Sequence, residues 1–188
     1  MKKVFFGVLL AIALLGSQAG ISAAPERGAE PKVHRLNISG KDWALELTVS
    51  PDFSSVKQFE KEDGFYLQNK KTDFNIMADL EKAPVEGDAS AASEYYAKKD
   101  SMGPLKPVDI KQYELGEAAV REYTIKDSRF RTISGDTLVV RNVNYFLVHD
   151  GYWAVIRISK LRFQASDKKF FDEIIRNIKI VPMEPTSR

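Results

Sequence analysis

The dipeptide Asp150–Gly151 separates two long segments of alternating apolar residues, Leu138–His149 and Tyr152–Leu161. Asp-Gly in this setting is a strong signal for a β-hairpin with a two-residue loop, because both residues tolerate the positive φ that the turn requires. So short a loop also fixes the register, with His149 facing Tyr152. The sequence therefore predicts a long antiparallel hairpin in which the face of every side chain is known.

This register gives the hairpin one face that is apolar for most of its length. Such a face has to be covered, because exposed apolar area is unfavourable in water. We expect a helix to cover it, with the C-terminal helix as the candidate. The residues that share the face are Leu147, Tyr145 and Val143 on the first strand and Ala154, Ile156 and Ile158 on the second.

The opposite face of the hairpin has two unlike halves, one apolar and aromatic near the turn, the other bearing amides and a guanidinium farther away. Trp and Arg are common binding anchors, and Arg157 can hold a carboxylate or phosphate through two hydrogen bonds. The residues of this candidate binding patch are Asn142, Asn144, Phe146, Trp153 and Arg157. The alternative is that a second helix covers the apolar half while water wets the rest.

Gly116–Glu117 predicts another hairpin, between the strands Ile110–Leu115 and Ala118–Lys126. Glycine at the first central position suits a type II′ turn of two residues. The resulting register places Lys111 opposite Glu122, a favourable cross-strand charge pair that supports the assignment.

The remaining periodic segments predict three more strands and two helices. The strands are Trp43–Val49, Gly64–Asn69 and Phe74–Leu80, and the helices are Ala91–Ser101 and Lys168–Lys179. Helical spacing turns Tyr95 and Tyr96 toward the core, and the last helix carries an apolar stripe. Residues 53–63 are charged and ambiguous. This order of elements predicts an α+β fold, a mostly antiparallel sheet flanked by helices.

The first residues have the pattern of a secretory signal peptide. Lys2 and Lys3 precede the apolar segment Val4–Leu15, which is too short to span a membrane and is followed by small residues. Cleavage is expected after Ala23, and an uncleaved N-terminal anchor is the alternative. We assign 1–23 to the signal peptide, 24–34 to a flexible linker, 35–182 to a single domain and 183–188 to a tail.

Charge and cysteine content exclude several classes of function. The chain has 28 Lys and Arg against 26 Asp and Glu, so loss of the two leader lysines leaves no net charge, and we expect no nucleic-acid partner. The absence of cysteine excludes disulfides, thiolate metal sites, a lipobox anchor and cysteine nucleophiles. No transmembrane segment is expected in the mature chain. We therefore expect a periplasmic or secreted bacterial protein.

The sequence offers no catalytic motif, metal site or cofactor site. Its two histidines, His34 and His149, lack the spacing of a zinc site. The carboxylates Glu114, Glu117 and Glu122 cluster around a predicted hairpin turn, where we interpret them as surface residues rather than a glycosidase pair. We expect no catalytic residues, no bound metal and no cofactor.

The order of elements and several short segments resemble the PsbP-like α/β/α sandwich superfamily, which includes PsbP and DcrB-like periplasmic proteins. The similarity extends from Trp43 to Pro182. The segments that carry it are Gly116–Glu117–Ala118–Ala119 with Tyr123, then Asp150–Gly151–Tyr152–Trp153–Ala154–Val155, then Phe170–Phe171 and Ile174–Ile175. The resemblance implies a sandwich fold in residues 35–182 and an accessory or binding role without established enzymatic activity. It implies no role for any individual residue.

These observations favour a non-catalytic exported binding or accessory protein. Its partner would be an envelope protein or complex, or a small anionic ligand. Two alternatives stay open, a hydrolase-type enzyme with an unrecognised site and a structural component of the envelope.

Overall fold

The computed structural model describes residues 30–56, 63–103, 106–131, 135 and 137–183. The predicted signal peptide and the tail beyond residue 183 lie outside the described residues. The strands are β1 Lys32–Asn37, β2 Trp43–Val49, β3 Ser54–Ser55, β4 Gly64–Asn69, β5 Phe74–Lys82, β6 Pro107–Leu115, β7 Ala118–Arg131, β8 Thr137–His149, β9 Tyr152–Leu161 and β10 Ile178–Pro182. The helices are α1 Ala89–Ser101 and α2 Lys168–Arg176, the latter preceded by a 3₁₀ turn at Ala165–Asp167.

The strands form two sheets in which every pairing is antiparallel. The larger has seven strands in the order β3-β4-β5-β9-β8-β7-β6, and the smaller has three in the order β1-β2-β10. Together with the two helices this confirms the predicted α+β fold with a mostly antiparallel sheet.

Both predicted hairpins have the predicted registers. His149 pairs with Tyr152, and both Asp150 and Gly151 have positive φ (48° and 75°), as a type I′ turn requires. In the β6–β7 hairpin Lys111 pairs with Glu122 across the strands. Its turn begins at a glycine of φ 62°, which matches the expected type II′ geometry.

The apolar face of the β8–β9 hairpin is covered by more than the expected helix. The three-stranded sheet packs over it through β2 residues such as Leu45 and Leu47, and α2 adds Phe171, Ile174 and Ile175. The smaller sheet forms because the chain after α2 returns as β10 and pairs with β2. We call this interior the main core.

Helix α1 packs on the opposite face of the seven-stranded sheet. It begins one turn after Pro84, with Asp88 as the N-cap whose side chain accepts a hydrogen bond from the Ala91 N–H (3.0 Å). The prediction for its two tyrosines was half wrong. Tyr96 is buried, whereas Tyr95 is 37% exposed and lies with one edge against Trp153.

Several predicted boundaries differ from the structure by a few residues, and two of the differences change the fold. Strand β1 begins at Lys32 and pairs along β2, so the last three residues assigned to the 24–34 linker are in a strand. Helix α2 ends at Arg176 rather than Lys179, because the chain turns there to enter β10. Ile178, which lies within the range predicted for this helix, is therefore buried as a residue of strand β10.

Candidate functional site

The structure buries the apolar half of the predicted binding patch. Phe146 and Trp153 are both 0% exposed and lie under α1, where the Tyr96 ring stacks on Phe146 with centroids 5.7 Å apart. A partner cannot reach either side chain in this state. The interpretation of these two residues as binding anchors is therefore corrected, because a helix covers the half of the face on which they lie.

The polar half of the patch is divided. Asn144 is buried beside Tyr123, with its amide 3.5 Å from the phenol oxygen. Asn142 and Arg157 remain half-buried. The Arg157 guanidinium lies 5.1 Å from the centroid of the Tyr96 ring, a cation–π distance. Arg157 therefore lies at the border between the covered and uncovered parts of the face.

We call the uncovered part of this face the open half. Cross-strand pairing places Met77 opposite Arg157, and Asn75, Ser159, Asn142 and Tyr123 in one row across four strands. All six side chains are half-buried, so no helix or strand covers this part of the face completely. The arrangement can hydrogen-bond a partner through amides and hydroxyls and neutralise an anionic group through Arg157.

Polar contacts hold α1 at the border of the open half. The Asp100 carboxylate near the end of the helix lies 2.6 Å from the Arg121 guanidinium, whose side chain is 3% exposed. In the middle of the helix the Tyr96 hydroxyl donates a hydrogen bond to the Glu81 carboxylate. Burial, reinforced by this bond, raises the pKa of Tyr96 far above its usual range.

A second concave region, the α2 cleft, lies on the other side of the sheet. It has a volume of about 260 Å³ between α2 and the strands β6, β7 and β8. Its apolar lining includes Val143, Phe163, Phe171 and Ile175, and Lys111 lies at its rim. Arg141, Lys168, Glu122 and Asp172 also line it, so the cleft can take a compact apolar group next to charged side chains of both signs.

Glu122 at the rim of this cleft has partners that the sequence did not predict. Its carboxylate accepts hydrogen bonds from Arg141 and from the Tyr113 hydroxyl (2.8 Å). Lys111 lies opposite Glu122 as expected, but no ion pair to Lys111 is present among the described residues. Burial and the bond to Glu122 raise the pKa of Tyr113. Arg141 reaches this carboxylate through the pairing of β7 with β8. The sequence did not predict this contact, because no short loop fixes the register of that pair.

The histidines have structural surroundings. Burial, with a contribution from the Lys32 charge, lowers the pKa of His34. The centroids of the His34 and Phe65 rings are 5.5 Å apart. His149 packs against an edge of Trp43 (4.9 Å). Within the ranges that the structure describes, no three His, Asp or Glu side chains converge to hold a metal ion. No helix in those ranges is long and apolar enough to cross a membrane.

No protein-family model and no curated protein matches the chain in sequence. Solved structures that match it include the Ran-binding protein Mog1p of Saccharomyces cerevisiae, at 11% identity and TM-score 0.47 over 80% of this chain and 96% of that one. They also include cyanobacterial PsbP of Synechocystis sp. PCC 6803, at 15% identity and TM-score 0.49 over 89% of this chain and 99% of that one. The similarity to these PsbP-like structures concerns the fold alone.

Proposed function

We propose that the protein is a non-catalytic exported accessory protein that docks onto another protein of the cell envelope through the open half. The supporting observation is that α1 covers the apolar half of its sheet face and leaves Asn142 and Arg157 half-buried. Protein interfaces are broad and shallow, whereas small-molecule active sites are enclosed pockets. The row of polar side chains extends across four strands, a breadth that suits a protein interface.

The chemistry of the open half indicates an acidic group on the partner. Among the described residues no carboxylate forms an ion pair with Arg157. Its contact with the Tyr96 ring orients the guanidinium and leaves hydrogen-bonding edges available. Asn142 and Asn75 flank this position in the next row, and their side-chain NH₂ groups can donate hydrogen bonds on either side of a bound carboxylate.

The test is a photo-crosslinking pull-down of the mature tagged protein from its native envelope. A photoreactive residue replaces Ser159, and the same protein is prepared with Arg157→Glu. We expect one crosslinked partner, lost with Arg157→Glu and retained with the matched control Arg176→Glu on the exposed side of α2. Docking at this surface would be refuted if Arg157→Glu and Arg176→Glu crosslinked the partner equally. It would also be refuted if none of the proteins crosslinked a partner.

A small anionic ligand in the α2 cleft is the second candidate. Lys111 supplies a positive charge beside the aromatic side chains Phe163 and Phe171. A carboxylate with one aromatic ring or a short acyl chain fits that combination. A thermal-shift series with such acids tests it, because a ligand that binds the native state stabilises the protein. The shift should vanish with Lys111→Glu and persist with Lys169→Glu.

A further inference from the structure

Strand β6 is the edge of the seven-stranded sheet, and its exposure is unusual. Every residue after Pro107 is exposed, among them the large apolar side chains of Val108, Ile110, Tyr113 and Leu115. A long exposed apolar edge is a template for pairing with another strand, and proteins usually shorten, charge or cover it.

Only the first part of β6 has such protection. The register shifts between Val108 and Lys111, and Asp109 there has φ 53°, so a bulge interrupts the edge. From Lys111 to Leu115 the pairing with β7 is regular. This regular part of β6 is therefore the accessible edge.

The outward backbone groups of this edge follow from the hairpin geometry. Leu115 and Ala118 flank the two-residue loop and form a hydrogen-bonded pair, so Gln112 and Glu114 direct their N–H and C=O groups away from β7. Within the described part of the chain, no backbone hydrogen bond from outside β6 reaches these groups. They are ready to pair with an added strand.

The side chains beside the edge specify the occupant. On the α1 side, Asp88, Glu114 and Glu117 line a notch of about 180 Å³. Neither glutamate forms an ion pair with a described residue. On the other side of the edge lie Tyr113 and Leu115. An added strand places its side chains directly opposite those of β6, and directly opposed side chains interact. The acidic side of the edge therefore favours a basic face on the added strand, and the other side favours an apolar face.

A second copy of the chain fits poorly. Two copies paired through β6 are related by a two-fold axis perpendicular to the sheet, which keeps each face on its own side. Glu114 would then lie opposite Gln112 or Glu114 of the second copy, and the two acidic notches would meet. We propose that Lys111–Leu115 binds an extended segment of another protein in which Lys or Arg alternates with apolar residues, by strand addition.

The test uses the mature chain and a synthetic peptide of about seven residues, a common strand length, in which Lys and Val alternate. The control peptide has Glu in place of Lys. Amide hydrogen exchange and NMR titration locate binding residue by residue. We expect the Lys peptide to protect the Gln112 and Glu114 amides and the Glu peptide to protect neither.

Variants separate this edge from the open half. Glu114→Lys should weaken binding of the Lys peptide by about tenfold or more, since it opposes like charges. Glu173→Lys, on the exposed side of α2, and Arg157→Glu, in the open half, should leave binding unchanged. Gln112→Pro removes one outward N–H and should reduce binding of a peptide whose charge contacts are intact.

Three outcomes would overturn the proposal. The first is equal binding of the two peptides, and the second is protection of a strand other than β6. The third is a concentration-dependent dimer of the chain that protects the same two amides, which would make a second copy the occupant. If circular dichroism shows that Gln112→Pro does not fold, the proposal is tested by Glu114→Lys with the controls Glu173→Lys and Arg157→Glu.

Discussion

The two faces of the seven-stranded sheet are covered in different ways. The main core joins the sheet to three strands and α2. Counted over the described residues, it contains 23 buried apolar residues, whereas the core under α1 contains 7. Helix α1 depends in addition on polar contacts, chiefly its N-cap Asp88, the Tyr96–Glu81 hydrogen bond and the Asp100–Arg121 pair.

Because of this difference, one face of the sheet provides most of the stability and the other provides the accessible surface. A face covered by apolar burial over its whole length leaves little surface for a partner. The α1 face is covered over half its length, so its other half can serve recognition without exposing the main core. The smaller core also makes α1 the element expected to open first in local unfolding.

The largest expected effect comes from the aromatic residue at the centre of the α1 core. Trp153→Ala should lower the free energy of unfolding by about 3–5 kcal/mol, because it leaves a cavity under the helix. Arg157→Ala, four residues farther along the same strand, should change it by less than about 1 kcal/mol. Urea unfolding followed by circular dichroism measures both, and equal effects would remove the distinction between the covered half and the open half.

The ion pair at the end of α1 should have the next largest effect. Asp100→Asn should lower the free energy of unfolding by about 1.5–3 kcal/mol, since Arg121 then stays buried without a carboxylate. Hydrogen exchange should speed up in α1 before it does in β9. Asp172→Asn, which breaks an exposed pair with Lys168, is the matched control and should change stability by about 0.5 kcal/mol or less. Unchanged exchange in α1 would mean that the pair does not hold the helix.

The buried tyrosine of α1 should make stability sensitive to alkali. The raised pKa of Tyr96 means that above about pH 10 the unfolded chain loses this proton while the folded chain keeps it. The contribution of Tyr96 to the free energy of unfolding is therefore fully present below about pH 10, and it falls by up to about 1.4 kcal/mol per pH unit above it. Tyr96→Phe should remove this component and weaken the fold by about 0.5–1.5 kcal/mol at pH 7 through the lost hydrogen bond. Tyr95→Phe should do neither in pH-dependent unfolding measurements.

The smallest effect concerns the outer face of the three-stranded sheet. Glu46 lies between Arg35 and Lys179 on the neighbouring strands, and the hydrogen bond from Arg35 holds the pKa of Glu46 below its usual range. This contribution is present above the ordinary carboxyl pKa and is lost as the pH falls through the folded value. Glu46→Gln should lower Tm slightly at pH 7 and not at pH 2, with Glu30→Gln as the control. A Tm difference that persists in acid would contradict this assignment.

The hairpins show how much of this fold can be predicted from local sequence. Asp150–Gly151 and Gly116–Glu117 each fix a register through a two-residue loop, so the pairs His149–Tyr152 and Lys111–Glu122 were predicted correctly. Strand β1 was missed because it has little apolar alternation of its own. It forms by pairing with β2.

The candidate site shows where such prediction stops. The sequence correctly placed Trp153, Phe146 and Arg157 on one sheet face, but could not show that α1 covers the first two and ends near the third. The acidic notch was equally hidden, because Asp88 lies far from Glu114 in the chain and meets it only when α1 docks.

By itself the sequence determined the strand alternation, the turns and the two hairpin registers, because short loops and side-chain periodicity act over a few residues. The tertiary structure alone decided which faces are covered and which edge stays open. Those outcomes depend on contacts between distant segments, such as β10 with β2 and α1 with β7 and β8, and long-range packing is not encoded in any local pattern.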